Sequence, residues 1–357
     1  MLNKNKKAKL AKHTNAFNYN KKWIFGLGSQ QFIFDYNEWK TLVRVSSILT
    51  LKLFSFNELI EEVQKKYPEI SKNEIVEAIK FLDGNNFLMY SEEYRQNERY
   101  SRNAIFYRLA GANPQITLEK LRQKTVAVIG CGGIGNYMTH ILGLSGIGRL
   151  LLVDDDVIEL SNLNRQFLFT EEDIGQYKID IIERELRKRN GKIIVSKYYR
   201  KIVNENSFDI LLKEKPDLLI LSADFPPEIL YWTNAFCVQN KIPFVNVGYY
   251  NDISMVGPFV IPGESACIEC ALGQHNYDIS DEINDELQQL YKYYKTASFP
   301  TINATASAMA LNDIFKFLGE YGKIASLNKR IGIYSLEPKI EELNYQKDPN
   351  CQICGHL

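Results

Sequence analysis

Thr125-Val126-Ala127-Val128-Ile129-Gly130-Cys131-Gly132-Gly133-Ile134-Gly135 is the stretch that decides the fold. A five-residue apolar run of strand type leads directly into G-x-G-x-x-G, and a helical pattern follows. Glycines there permit a tight turn and close approach of backbone to ligand, and the helix N-terminus offers amide donors and partial positive charge to phosphate. Asp154 ends the next apolar run about 20 residues later, where an acidic residue binds ribose hydroxyls. Gly130, Gly132, Gly133, Gly135 and Asp154 thus predict an adenine-nucleotide site on a Rossmann-like α/β domain. A dinucleotide-dependent dehydrogenase is the default reading of such a turn.

Outward from this turn, apolar runs at 125–129, 149–153, 193–198, 217–221 and 243–247 alternate with helical patterns such as 179–189 and 228–240. That alternation predicts a largely parallel sheet covered on both faces. Upstream, residues 25–95 read as a small α+β domain with a strand near 31–35, three helices and a strand at 87–90. Ser55 with Glu58 and Ser71 with Glu74 have capping-box spacing, and Ile75, Ala78, Ile79 and Leu82 follow at helical intervals. The order suggests a winged helix. Its presumed recognition helix sets Lys72 and Lys80 against Glu74 and Glu77, which favours a protein or peptide ligand over DNA. Residues 91–102 read as a linker, and 96–357 as the nucleotide-binding domain.

Residues 1–24 carry Lys4, Lys6, Lys7, Lys9, Lys12, Lys21 and Lys22 and read as a flexible, solvated arm, or alternatively a polyanion-binding one. The whole chain balances 43 Lys and Arg against 43 Asp and Glu, so no global charge recruits nucleic acid or an anionic membrane. No apolar signal core follows the N-terminal lysines, and no run approaches the roughly 18 apolar residues of a membrane span, which leads to the expectation of a cytoplasmic protein. In that reducing compartment Cys267-x-x-Cys270 and Cys351-x-x-Cys354 read as the four thiolates of a closed, structural Zn²⁺ site, with a redox pair as the alternative.

The residues after Asp154 displace the dehydrogenase reading. The run from Asp154 through Asp156, Asn162 and Arg165 to Gln166 resembles the D-x-D-x-V-x-x-S-N-L-x-R-Q signature of the ThiF, MoeB and ubiquitin-activating superfamily. That resemblance implies ATP rather than NAD, attack of a carboxylate on the α-phosphate, and Arg165 and Lys178 on the triphosphate. Asp224 follows the run at 217–221 and by the resemblance coordinates Mg²⁺; the alternative is a helix cap. Arg99-Tyr100-Ser101-Arg102 resembles the R-Y-x-R that opens the superfamily's catalytic domain, which implies that Arg102 reaches a partner subunit's nucleotide and that the protein is a homodimer.

Segments outside the ATP signature are similar to the MccB-like peptide nucleotidyltransferases of microcin C biosynthesis: 99–103, 111–114, Ser222-Ala223-Asp224, Trp232-Thr233-Asn234, 246–258 and 326–333. This resemblance implies a short ribosomal peptide ending in Asn as substrate. Its C-terminal carboxylate is adenylated, cyclised to a succinimide, and converted by a second nucleotide, ATP or CTP, to a phosphoramidate. Asn246, Tyr249, Asn251 and Asp252 are then peptide contacts, with a plain turn as the alternative, and 278–298 is a crossover loop or a solvated helix. Adenylation of a ubiquitin-like sulfur carrier, adenylation-driven peptide dehydration and non-catalytic leader-peptide binding remain the other readings. A self-thioester step is disfavoured because no cysteine stands between Cys270 and Cys351.

Overall fold

The computed structural model describes residues 6–90, 98–273 and 284–357, in two compact units, 1–119 and 120–357. The N-terminal unit opens with β1 (Lys9–Leu10), β2 (Ala16–Tyr19), β3 (Lys22–Leu27) and β4 (Gln30–Phe34). Helices α1 (Tyr36–Leu49), α2 (Phe56–Lys66) and α3 (Lys72–Gly84) follow, then β5 (Leu88–Met89). Strands β2, β3 and β4 form an antiparallel meander, and β1 pairs with β5. Both capping boxes are present: Ser55 and Ser71 accept from the Glu58 and Glu74 amides, while each glutamate accepts from the cap amide. Ile75, Ala78, Ile79 and Leu82 are buried, as their spacing requires.

Two sequence expectations are corrected in this unit. Residues 9–24 are not an arm, because they build β1, β2 and the start of β3. The lysines obscured an aromatic signal: the Trp23 ring stands 4.8 Å from Trp39 and 4.9 Å from Tyr36, and Phe25 is buried. Nor does the compact unit end near 95. Helix α4 (Ser101–Leu109) starts inside the expected linker, and the unit boundary falls within α5 (Pro114–Gln123). Local contacts explain this: Gln30 Nε2 donates to the Leu109 carbonyl at 3.3 Å, and Asn86 packs on Gly111. Residues 91–97 of that linker, like 278–283 of the expected crossover segment, lie outside the described residues.

The C-terminal unit is an eight-stranded mixed sheet in the order β13-β12-β11-β10-β9-β6-β7-β8. Strands β6 (Thr125–Ile129), β7 (Arg149–Val153), β8 (Ile194–Tyr198), β9 (Leu218–Leu221) and β10 (Phe244–Tyr250) are parallel. Val126 through Val128 are each 0% exposed, so β6 is buried on both faces, which is why the parallel strands read as continuous apolar runs. The expectation of a largely parallel sheet is corrected at the other edge. There β11 (Ile253–Val260), β12 (Lys329–Tyr334) and β13 (Ile340–Asn344) add an antiparallel ribbon.

Helices α6 (Gly133–Leu144), α7 (Lys178–Arg189), α8 (Ile229–Gln239), α9 (Ile268–Gly273), α10 (Asn284–Tyr293) and α11 (Pro300–Gly319) complete the unit. Helix α11 packs on α6, β10 and β11. The chain leaves β6 toward β7 and β8, then crosses back to β9 on the other side of β6. The carboxyl ends of β6 and β9 therefore flank a topological switch point, the place where open α/β sheets bind ligands. No described helix is long and apolar enough to cross a membrane.

Candidate adenylation site

A cavity of about 400 Å³ opens at this switch point. Gly130 begins it at φ +85°, and a Cβ there would stand 2.8 Å from the Ala223 amide. A Cβ at Gly135 would lie 2.0 Å from the Gly130 carbonyl and 3.0 Å from Ser222 Oγ. The first and third glycines thus let α6 sit directly on β6 and β9. Gly132 is the N-cap of α6 and makes no side-chain cap, so the amides of the first helical turn keep their donor capacity for a ligand.

Asp154, at the end of β7, accepts from the Cys131 amide at 2.6 Å and from the Asp156 amide at 2.8 Å. Burial raises its carboxyl above the usual range, against the opposing pull of Lys178 and the two amides. Lys178 is the first residue of α7, a position where the helix dipole disfavours a cation. It is nonetheless buried, and Nζ is held 2.6 Å from Asp156 Oδ2. Arg165 Nη1 donates to the Ser161 carbonyl at 2.8 Å and Asn164 Oδ1 at 3.0 Å, which orients the guanidinium on the cavity wall. Asn162 Oδ1 accepts from the Glu159 amide at 3.1 Å and fixes the short 3₁₀ turn Leu160–Asn162, whose last carbonyl accepts from the Arg165 and Gln166 amides.

Asp224 is exposed at the mouth, just beyond β9. The helix-cap alternative fails, because α8 begins at Ile229 with Glu228 as N-cap. Of the four expected peptide contacts, Tyr249 lines the cavity and its Oη donates to Ser298 Oγ at 2.9 Å. Asn246 sits at a register shift of β10. Asn251 and Asp252 make the two-residue turn into β11, with Asn251 at φ +51°. Asn251 Oδ1 accepts from Tyr294 Oη and the Ala297 amide, both at 3.1 Å, and so ties the segment after α10 to this hairpin. Arg102 is exposed on α4 of the N-terminal unit.

Sequence reasoning missed three wall residues. Arg200 and Lys201 follow β8, and the rule that nominated Asp224, position beyond the carboxyl end of a parallel strand, points to them equally. Asn303 lies on the buried face of α11, with Ser307 one turn on, and a polar residue among small buried ones was the available signal.

Cys267, Cys270, Cys351 and Cys354 are all buried with their sulfurs within 4.8 Å of one another. Sγ separations of 3.9, 3.7 and 3.4 Å bracket the roughly 3.8 Å edge of a tetrahedron with Zn–S near 2.3 Å. Both flanks of Cys267 are pinned: Asn328 Oδ1 accepts from the Ala266 amide at 2.6 Å, and Asn234 Oδ1 from the Ile268 amide at 3.0 Å. Four thiols preset at this spacing fit zinc. The remaining cysteines, Cys131 and Cys237, are fully buried, and burial pushes both thiols up, away from the reactive thiolate.

A glycine turn on a helix N-terminus, cations, and an exposed carboxylate around one cavity define the site of an ATP-using adenylyltransferase. The ThiF family model matches residues 100–353, and the chain belongs to that family. It is similar to E. coli MccB solved with ATP, at 34% identity and a TM-score of 0.89, covering 98% of this chain and 100% of that one. MccB, the microcin C7 biosynthetic enzyme, solved with N-formylated MccA gives 0.90 at the same identity. The ubiquitin-like modifier-activating enzyme 5 of Drosophila mojavensis is 29% identical over 239 residues, which is 62% of this chain and 59% of that protein. The chain spans less than two thirds of that curated relative's length.

Proposed function

We propose that the protein is an ATP-dependent nucleotidyltransferase that activates the C-terminal carboxylate of a short ribosomal peptide ending in Asn and forms a peptidyl-nucleotide phosphoramidate, as in a microcin C-like antibiotic. The observation that carries this reading is end-to-end similarity to MccB, which has been solved with ATP, with MccA peptides and with a succinimide. In this reading Asp154 holds the ribose, and the α6 amides with Arg165 and Lys178 hold the phosphates. Lys178 passes from Asp156 to the nucleotide, and Asp224 binds Mg²⁺. Mg²⁺, when bound, neutralises phosphate charge as pyrophosphate departs. Arg102 completes the site of the partner in a homodimer, and the zinc, when bound, staples the C-terminus to α9. The N-terminal unit clamps the peptide.

A second reading, activation of a ubiquitin-like protein, is favoured by the curated relatives. Against its thioester form stand the two buried lone thiols and the clustered four. Mass spectrometry separates the readings. Incubated with Mg²⁺ and ATP or CTP, an Asn-terminated peptide gains one nucleotide monophosphate. No adduct with either nucleotide, together with adenylation of a ubiquitin-like C-terminus, would overturn the proposal.

A further inference from the structure

Asn303 is 2% exposed and lies on the cavity wall, yet its Oδ1 has no hydrogen-bond partner. The orientation of the carboxamide is fixed by its other end. Nδ2 donates to the Phe299 carbonyl at 2.9 Å, an atom that only accepts, and to Ser298 Oγ at 3.3 Å. Ser298 Oγ in turn meets Tyr249 Oη, which also lines the cavity. The oxygen is aimed at Gly133: a Cβ there would come within 2.7 Å of it, so glycine at this position makes room for the carboxamide.

A buried acceptor without a donor costs about 1–3 kcal/mol, and a group that enters the cavity can recover it. Phosphate oxygens carry no hydrogen to donate. The ribose hydroxyls belong with Asp154, just beyond β7 on one flank of β6, whereas α11 packs on α6 and on β10 and β11, the strands of the other flank. The donor therefore comes from the acyl substrate, which shares that flank with Tyr249. We propose that Asn303 is a positioning and specificity-determining residue whose Oδ1 accepts an N–H from the side-chain carboxamide of the peptide's terminal Asn. It thereby holds that nitrogen beside the glycine turn, where the α-phosphate lies. This rests on the peptide reading above and adds to it the residue that selects a terminal carboxamide.

The test compares peptides ending in Asn and in Leu, whose side chain has nearly the same shape but no N–H, by peptide-dependent ATP–pyrophosphate exchange. The wild type prefers Asn by about 10- to 100-fold in kcat/KM. Asn303→Ala brings that ratio to near one, chiefly by losing activity on the Asn peptide, while KM for ATP changes less than about 3-fold. Ser298→Ala, which deletes the half-buried hydroxyl between Tyr249 and Asn303, lowers the ratio by about 3-fold or more and serves if Asn303→Ala melts below the assay temperature. An unchanged ratio in the folded variants overturns the inference, as does a KM for ATP that rises as far as the ratio falls, which would assign the oxygen to the nucleotide or its metal-bound water. A wild type without peptide-dependent exchange removes the peptide reading itself, and a wild type that exchanges without preferring Asn overturns the inference alone.

Discussion

Asp224 stands exposed beyond β9, and it neither caps α8 nor packs in the core. Asp224→Ala is therefore expected to lower kcat of nucleotide transfer by about 10³-fold, about 4 kcal/mol of transition-state stabilisation, with the melting temperature unchanged. A variant that unfolds instead would mark the residue as structural. Surface residues free of such features usually shift stability by less than about 0.5 kcal/mol. At this scale the extended signature after Asp154 named Asp156, Asn162, Arg165 and Gln166, which line one cavity together with Lys178 of α7. Asn303 was only faintly legible, as a polar residue among small ones outside any motif, and the role proposed for it rests on an amide whose nitrogen is bonded and whose oxygen is not.

At the scale of elements, the strand-turn-helix unit of β6 and α6 bears the tightest constraint. Gly135→Ala drives a Cβ into the Gly130 carbonyl, while Gly132→Ala meets nothing nearer than 3.9 Å. The first is expected to destabilise the fold by at least about 1–3 kcal/mol. The second should leave the melting temperature near wild type and weaken nucleotide binding, because its methyl projects from the turn that lines the cavity. Calorimetric melting with and without ATP separates the two effects, and equal destabilisation by both would refute this account of the turn. Strands β6 and β7 were legible to the residue because both faces are buried and the apolar run is unbroken. Strand β13 is exposed along its whole length, and β12 carries Lys329, Arg330 and Gly332, so neither shows the alternation that a half-buried strand displays.

For the whole molecule, the four-cysteine cluster ties 351–354 to α9, about 80 residues upstream in the chain. Metal analysis is expected to find one zinc per chain, and Cys351→Ser to lower the melting temperature sharply, since binding energy of a structural zinc is folding energy. A metal-free protein of full stability would exclude the site. Domain organisation was less legible in the sequence than the strands of the parallel sheet, because lysines masked the N-terminal strands and α4 begins where a linker was expected. The trans role of Arg102 predicts that Arg102→Ala and Asp224→Ala, each inactive alone, recover activity when mixed as heterodimers; heterodimers without activity would remove it. The central claim, that this cavity adenylates a peptide carboxylate, is tested most directly by ATP–pyrophosphate exchange with the purified protein, Mg²⁺ and an Asn-terminated peptide. Exchange that depends on the peptide and is abolished by Asp224→Ala is the expected result. Exchange absent with every peptide, or unaffected by Asp224→Ala, would contradict it.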